Sequence, residues 1–223
     1  MTTDPTTPCL TIAPELQEAA PDLRLGCLTA TVTAGPGGDA LGQALEAAAT
    51  EAMAALPEDG IAALPAVRAT RQAYKALGKD PARYRAASEA LLRRIKQGKG
   101  LYRVNAVVDV NNLISIRTGI PIGTYDVDKV EGAITFRRAG DGESYVGIGR
   151  GPLNLEGLPV FSDAAGPFGS PTSDSERTMI RPETKHILMV LIAFHGDFGT
   201  ALDETAAALA EHAAATDIET TIL

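Results

Sequence analysis

A chain of 223 residues with 45% apolar side chains is long enough to build one substantial core, and it argues against wholesale disorder and for one large domain. No stretch approaches the roughly 20 apolar residues of a membrane helix, no basic segment leads an apolar one at the N-terminus as a secretory signal would, and Cys9 and Cys27 alone give no disulfide framework. These features make the cytoplasm the expected compartment, with no membrane partner, and a net charge of −8 excludes a nucleic-acid partner unless positive charge is concentrated somewhere along the chain.

The opening, with Thr2, Thr3, Pro5, Thr6, Thr7 and Pro8, reads as a frayed tail; residues 1–22 form a tail and lead-in to a single domain over 23–223. LRLGCLTATVTAG predicts a strand over Leu23–Val32, ended by Gly35, Pro36, Gly37 and Gly38. From Asp39 to Leu56 the sequence is rich in Ala, Leu and Glu, and a helix capped by Asp39 is expected, stopped by Pro57 and Gly60. LPAVRATRQAYKALG predicts a second helix with Val67, Ala73, Tyr74 and Leu77 on its buried side and Gly78 as its stop. Asp80 and Pro81 sign the start of a third, PARYRAASEALLRRIKQG, which faces the core with Tyr84, Ala87, Leu91, Leu92 and Ile95 and solvent with Arg85, Arg93, Arg94 and Lys96.

Positive charge is concentrated in this helix pair. Between Arg68 and Arg103 stand eleven basic and two acidic residues, a segment of about +9 that leaves about −17 for the rest. Such asymmetry suits an anionic partner, although solvated helices also carry charge runs.

Next comes VVDVNN, an apolar entry that ends in Asp109, Asn111 and Asn112 and is followed by Gly119, Pro121 and Gly123. This pattern reads as a strand anchored by Val107 and Val108 that delivers polar groups to the edge of a cleft. Asp109 caps the turn, and Gly119 to Gly123 let the backbone approach a ligand. Ala133–Arg138 and Ser144–Ile148 read as a hairpin around GDGE, LPVFSD and HILMVLIAF as further strands, and Asp203 opens a last helix. Helices first, then a sheet, then a closing helix spell α+β.

The familiar catalytic signals are missing. The glycines Gly147, Gly149 and Gly151 lack the strand-to-helix context of a nucleotide site and suit a loop leaving the hairpin. His186, His195 and His212 lack metal-ligand spacing, and no GxSxG elbow occurs. Neither metal nor cofactor is expected. The polar stretches that remain are the asparagines, SDAAG with Asp163 and Gly166, and SPTSDSERT from Ser170 to Thr178. Each alone can be a set of side-chain-braced turns; together they suit one cleft.

In order, Leu77-Gly78, Ser88-Glu89-Ala90-Leu91-Leu92, Val108-Asp109 with Asn112, Gly119 with Pro121, and Tyr125-Asp126 resemble the B3/B4 domain of the phenylalanyl-tRNA synthetase β subunit. They are more similar still to freestanding proteins built on that module. A weaker echo runs through Arg138-Ala139, Gly142-Glu143, Asp163, Arg177-Thr178 and Thr184, so the likeness covers roughly Leu64 to Phe194. It implies a single B3/B4-like domain with N-terminal helices on a mostly antiparallel sheet or sandwich, and an editing module that hydrolyses the ester of mischarged tRNA. Such editing needs a pocket that bonds the wrong side chain's hydroxyl, then an oriented water and a held oxyanion, without metal or covalent nucleophile.

The sequence departs from that family at telling positions. Where the synthetase carries histidine in a Pro-Leu-His-Ala-Phe-Asp phrase, this chain has Gly123 within Pro121-Ile122-Gly123-Thr124-Tyr125-Asp126. The editing glutamate falls near Val190, Asn111 replaces a threonine before the retained Asn112, and Phe168-Gly169-Ser170-Pro171 stands where freestanding members carry Arg-Arg-Trp. Under the resemblance Asn112, Asp174 and Ser175 are the catalytic candidates. Asn111, Gly123, Tyr125, Asp163, Arg177 and Thr178 are the substrate-binding ones, and Arg71, Lys75, Arg85, Arg93, Arg94 and Lys96 the tRNA-binding ones. The expected partner is aminoacylated tRNA or a free amino acid, and the oligomeric state is not disclosed. Three readings stay open: a trans-acting deacylase, a module that binds tRNA or an amino acid without catalysis, and an enzyme for an amino-acid-like ester or amide.

Overall fold

A computed structural model describes residues 9–223, so the tail expected at Thr2–Pro8 lies outside the described residues. Ten strands and six α-helices follow one another as β1 (Leu10–Ile12), α1 (Pro14–Ala19), β2 (Arg24–Thr31), α2 (Asp39–Ala54), α3 (Pro65–Ala76), α4 (Ala87–Lys96) and α5 (Ala106–Thr118). The second half holds β3 (Ile122–Asp126), β4 (Ile134–Arg138), β5 (Ser144–Gly147), β6 (Gly151–Asn154), β7 (Pro159–Asp163), β8 (Gly166–Gly169), β9 (His186–Ala193), α6 (Ala201–His212) and β10 (Thr216–Ile222). The class is α+β, as expected.

One sheet has the order β10-β2-β9-β3, antiparallel throughout, and its two faces explain the period of its strands. Along β9, Leu188, Val190 and Ile192 turn to one core, while Ile187, Met189, Leu191 and Ala193 turn to the other. The strand is apolar without interruption because neither face meets water. The first face packs on the second sheet, β1-β4-β7-β8, through Phe136, Phe161 and Phe168. The opposite face carries α2, α5 and α6 through Leu41, Leu45, Val110, Leu113 and Leu209.

The clearest correction concerns VVDVNN. These residues lie in α5, a helix, and not in a strand. The short run Ala106-Val107-Val108 is ambiguous by itself. The spacing Val107, Val110, Leu113, Ile114, all buried, is the helical one. Asn105, not Asp109, is its cap, accepting from Val108 N at 2.9 Å, and Gly119 closes it with φ +73 in the left-handed region. Asp109, 1% exposed, instead receives Arg103 Nε at 2.6 Å and Val104 N at 3.0 Å. Arg103 in turn donates to Gly37 O at 2.9 Å, which ties the entry of α5 to the loop before α2.

Other corrections are local. Gly38, not Asp39, caps α2. Asp80 does cap a turn, accepting from Ala82 N at 2.9 Å, yet α4 begins only at Ala87. β4 does not pair with β5: β4 runs between β1 and β7, and β5 pairs with β6. Gly149 therefore lies in the turn of the β5–β6 hairpin, and Gly147 and Gly151 face each other at its last rung. The chain also does not close on a helix, because β10 follows α6 and joins the edge of β2.

Candidate functional site

β8 leads into residues 170–178, and this segment builds the site. Ser175 N donates to Phe168 O at 2.9 Å on one side; on the other, Ile148 N donates to Asp174 O at 3.0 Å and Glu176 N to Val146 O at 2.9 Å. Residues 174–176 thus run like a short strand between β8 and the β5–β6 hairpin. Beside them opens a cleft of about 500 Å3 lined by Tyr145, Val146, Pro167, Ser175, Glu176 and Arg177.

Behind that wall stands Tyr125, fully buried on β3. Its ring lies between two glycines: a Cβ at Gly123 would stand 2.6 Å from Tyr125 Cζ, and one at Gly169 would stand 2.5 Å from it. Phe168 meets the ring edge-on, at a centroid separation of 4.9 Å and 87°. The glycines of the 119–123 stretch therefore serve the protein's own packing, Gly119 as a helix stop and Gly123 as the bed of a tyrosine. The Tyr125 hydroxyl donates to Asp174 Oδ1 at 3.1 Å, and Ser170 N donates to the same oxygen at 3.3 Å. Burial pushes the Asp174 carboxyl up to about 7, against the pull of Tyr125 and of the amides of Ser170 and Thr124. Burial also holds Tyr125 well above the usual phenol range, and the charge of Asp174 adds to this. At neutral pH Tyr125 keeps its proton, and a carboxyl raised toward neutrality as Asp174 is suits an acid–base group.

Ser175, 2% exposed, lines the cleft, and its buried Oγ has no hydrogen-bond partner. Sequence reasoning did not single out Tyr145, whose hydroxyl donates to Ser173 O within 3.1 Å of Ser170 Oγ. Ser170 Oγ donates to the same carbonyl at 2.8 Å. Tyr145 was legible only as one residue of an alternating strand, and its inward turn depends on the pairing of β5 with β6 rather than β4.

The remaining candidates separate into groups. Arg177 and Asp163 meet each other in a two-pronged pair at 2.9 Å, and Arg177 also donates to Lys129 O and Gly166 O, so this pair braces the cleft wall. Burial works to raise the Asp163 carboxyl, but Arg177 and the backbone amides of Glu131 and Ala165 outweigh it and hold it below the usual range. Thr178 is fully buried with Oγ1 unpartnered, and its carbonyl accepts from Asp126 N on the outer edge of β3 at 2.9 Å. Asn111 serves that same edge: in the orientation that satisfies its neighbours, its amide donates to Ile122 O at 3.1 Å and to Thr124 Oγ1 at 2.9 Å. Asn112, half-buried on α5, makes no side-chain hydrogen bond among the described residues. The fold thus brings Gly123, Tyr125 and Asp174 to one point and sets Ser175 and the Arg177–Asp163 pair on the cleft wall, while no bond ties Asn112 to the cleft.

The basic residues share more than a solvated face. Arg71, Arg85 and Arg93 converge on the buried carboxylate of Glu89, at 3.1, 3.6 and 2.8 Å. One carboxylate neutralises one of three guanidiniums, and Arg85 Nε is buried without a hydrogen-bond partner. The cluster adjoins the cleft-forming segment, since Ala87 N donates to Pro171 O at 2.8 Å and the Tyr74 hydroxyl meets Thr172 Oγ1 at 2.8 Å. Arg94 turns instead to the loop after α4, while Lys75 and Lys96 are exposed.

A family model described as the B3/4 domain matches residues 69–214. The β subunit of phenylalanine–tRNA ligase from Moorella thermoacetica is 35% identical over 114 residues, covering 49% of this chain and 14% of that subunit. The one from Brucella abortus (strain 2308) is 36% identical over 69 residues, 30% of this chain and 9% of that subunit. The chain therefore spans only a small part of the length of these relatives. An N-terminal fragment of the phenylalanyl-tRNA synthetase β subunit from Pyrococcus horikoshii matches in structure with a TM-score of 0.51 and 15% identity, over 96% of this chain and 50% of that one. That likeness is one of fold. The family model covers well over half of the chain, and the protein belongs to the B3/4 domain family.

Proposed function

We propose that the chain acts in trans on aminoacylated tRNA, hydrolysing the ester of a mischarged tRNA in the cleft beside Asp174. The observation that carries this reading is the raised carboxyl of Asp174, bonded to Tyr125, in the segment whose next residue, Ser175, lines the cleft. An aminoacyl ester needs no covalent activation. Asp174 takes a proton from a water as its oxygen attacks the ester carbonyl carbon, and returns it to the ribose oxygen as the C–O bond breaks. Ser175 Oγ is the candidate donor to the carbonyl oxygen while it carries negative charge, and the Asn112→Ala variant tests whether α5 contributes. Arg71, Arg85 and Arg93 supply two uncompensated charges for tRNA phosphates next to the segment that forms the cleft, with Lys75, Arg94 and Lys96 extending the basic surface.

A second reading, binding of tRNA or an amino acid without hydrolysis, is favoured by one observation. Gly123 and Val190, where the resemblance expects histidine and glutamate, are cross-strand partners, and neither bears a polar side chain. Deacylation of a panel of separately charged tRNAs by wild type, Asp174→Asn and Asn112→Ala decides between the two. The expected result is release of one amino acid, slowed about a hundredfold or more in Asp174→Asn. No release across a complete panel, with saturable binding retained, would replace hydrolysis by the second reading. Affinity that falls steeply with salt, and less steeply in Arg85→Ala and Arg93→Ala, separates tRNA from a small amino-acid-like ester or amide.

A further inference from the structure

The most exposed aromatic side chain among the described residues is far from ordinary surface. Tyr102 is 68% exposed and Val104 61%, within a segment that also carries Arg94, Lys96, Lys99 and Arg103. The loop that presents them is built rather than loose. Gly98 and Gly100 turn it with φ of +69 and +63, and Arg94 closes it by donating from Nε to Gly100 O at 2.8 Å and from Nη2 to Lys99 O at 3.0 Å. Leu101 packs against the core on one side, and Val104 N is held by Asp109 on the other. Having spent those donors on the loop, the Arg94 guanidinium lies 3.9 Å from the centroid of the Tyr102 ring.

One face of the ring is thus backed by a cation while much of the side chain stays in water. Lys96 and Lys99, on the same segment, are exposed and in no ion pair among the described residues. An open aromatic surface on a segment rich in uncompensated ammonium groups fits a flat ring system carried on an anionic strand, since stacking uses the face and the lysines take the phosphates.

We propose that Tyr102, backed by Arg94, is a stacking platform for an unpaired base of single-stranded RNA, with Lys96 and Lys99 holding the adjoining phosphates. The inference rests on the tRNA reading for its class of partner and adds a site outside the cleft. The two are joined by α4. Its first residue bonds the cleft-forming segment at Pro171, and its 10 residues extend about 15 Å to the loop that carries Tyr102. A strand whose end enters the cleft follows this helix, passes the arginines around Glu89, and places a base a few nucleotides upstream on Tyr102.

Fluorescence anisotropy with an unstructured RNA of about ten nucleotides, compared among wild type, Tyr102→Ala, Tyr102→Phe and Lys99→Ala, tests it. Tyr102→Ala is expected to weaken binding about tenfold or more at an unchanged salt slope, and Tyr102→Phe to stay within about twofold of wild type. Lys99→Ala is expected to lower the salt slope by about 0.7. Because Tyr102 is so exposed, its variants keep the wild-type thermal midpoint. No RNA binding by wild type, or equal affinity in Tyr102→Ala, overturns the platform. The chain outside 68–103 is strongly acidic, so a second copy is the competing occupant. Self-association lost in Tyr102→Ala with RNA binding unchanged would assign the surface to that copy instead. Tyr102-dependent RNA binding without deacylation would sink the hydrolase alone, and deacylation without it would sink the platform alone.

Discussion

Replacing Gly123 by alanine adds one methyl group at a position with no room for it. The new Cβ would stand 2.6 Å from Tyr125 Cζ and 3.0 Å from Cε2, and closer still to the hydroxyl oxygen. The ring cannot retreat, because a Cβ at Gly169 on its other side would also stand 2.5 Å from Cζ, and Phe168 closes its edge at 4.9 Å between centroids. Overpacking of this kind costs about 1–3 kcal/mol. If the ring tips, its hydrogen bond to the half-buried Asp174 goes too, for about 1.5 kcal/mol more. The expected loss is therefore about 2.5–4.5 kcal/mol, or about 5–18 °C in thermal midpoint for a chain of this size. Urea unfolding followed by circular dichroism reads it directly. The same substitution in a Tyr125→Leu background is expected to cost almost nothing, since the clashing atoms are gone. A Gly123→Ala protein within about 0.5 kcal/mol of wild type, or an equal cost in both backgrounds, would refute the claim that Tyr125 occupies this space.

Two further predictions concern buried carboxyls. Asp174, raised from 3.8 to about 7, binds its proton more tightly folded than unfolded, so its stabilising effect is full below about pH 4 and is lost as pH climbs to about 7. The loss is at most about 4 kcal/mol, and less to the extent that water reaches this half-buried group. Asp174→Asn should flatten that slope in urea titrations at several pH values, and a parallel slope in the variant would count against the shift. Arg103→Met leaves Asp109 buried with only the Val104 amide and the loop at Gly37 untethered, and is expected to cost about 1–3 kcal/mol. Adding Asp109→Asn should recover part of that loss, and additive losses would show that the two side chains are not coupled.

Much of the sheet was legible because burial on both faces writes itself as unbroken apolar sequence. HILMVLIAF reads as a strand buried on both faces and LRLGCLTATV as a strand, and they are neighbours, β9 and β2. The failures share a cause. Ala106-Val107-Val108 is short and β-branched, and its helical identity lies in contacts of Val107, Val110 and Ile114 that a six-residue window does not contain. The partner of β4 is set by β7, more than twenty residues on, and GDGE is a persuasive local turn that pairing at a distance overrides. β10, TDIETTI, reads as polar because an edge strand is solvated, so nothing in its composition announces it. At the site, SPTSDSERT announced Asp174 and Ser175 as polar residues, but the partner that tunes Asp174 is Tyr125, 49 positions away. Convergence of Arg71, Arg85 and Arg93 on Glu89 was likewise hidden, because only helix packing makes the three share a point.

Gly123 and Val190 lie far apart in sequence and are Cα partners across β3 and β9. Both belong to the face turned toward the second sheet, where Val190 is fully buried and the ring of Tyr125 covers Gly123. The two departures from the resembled family are therefore one departure in space. A histidine at 123 needs the volume Tyr125 already fills, and a carboxylate at 190 would stand among Leu25, Phe161 and Ile192 in the apolar core with a large desolvation cost. Neither residue can return by itself: Gly123→His requires a smaller side chain at 125, and Val190→Glu requires a partner that the core lacks. With Tyr125 in place, the polar contact on this wall runs from its hydroxyl to Asp174, the residue before the cleft-lining Ser175. Any activity of the cleft is accordingly expected to depend on the segment after β8, and to respond to Asp174 before it responds to anything on α5.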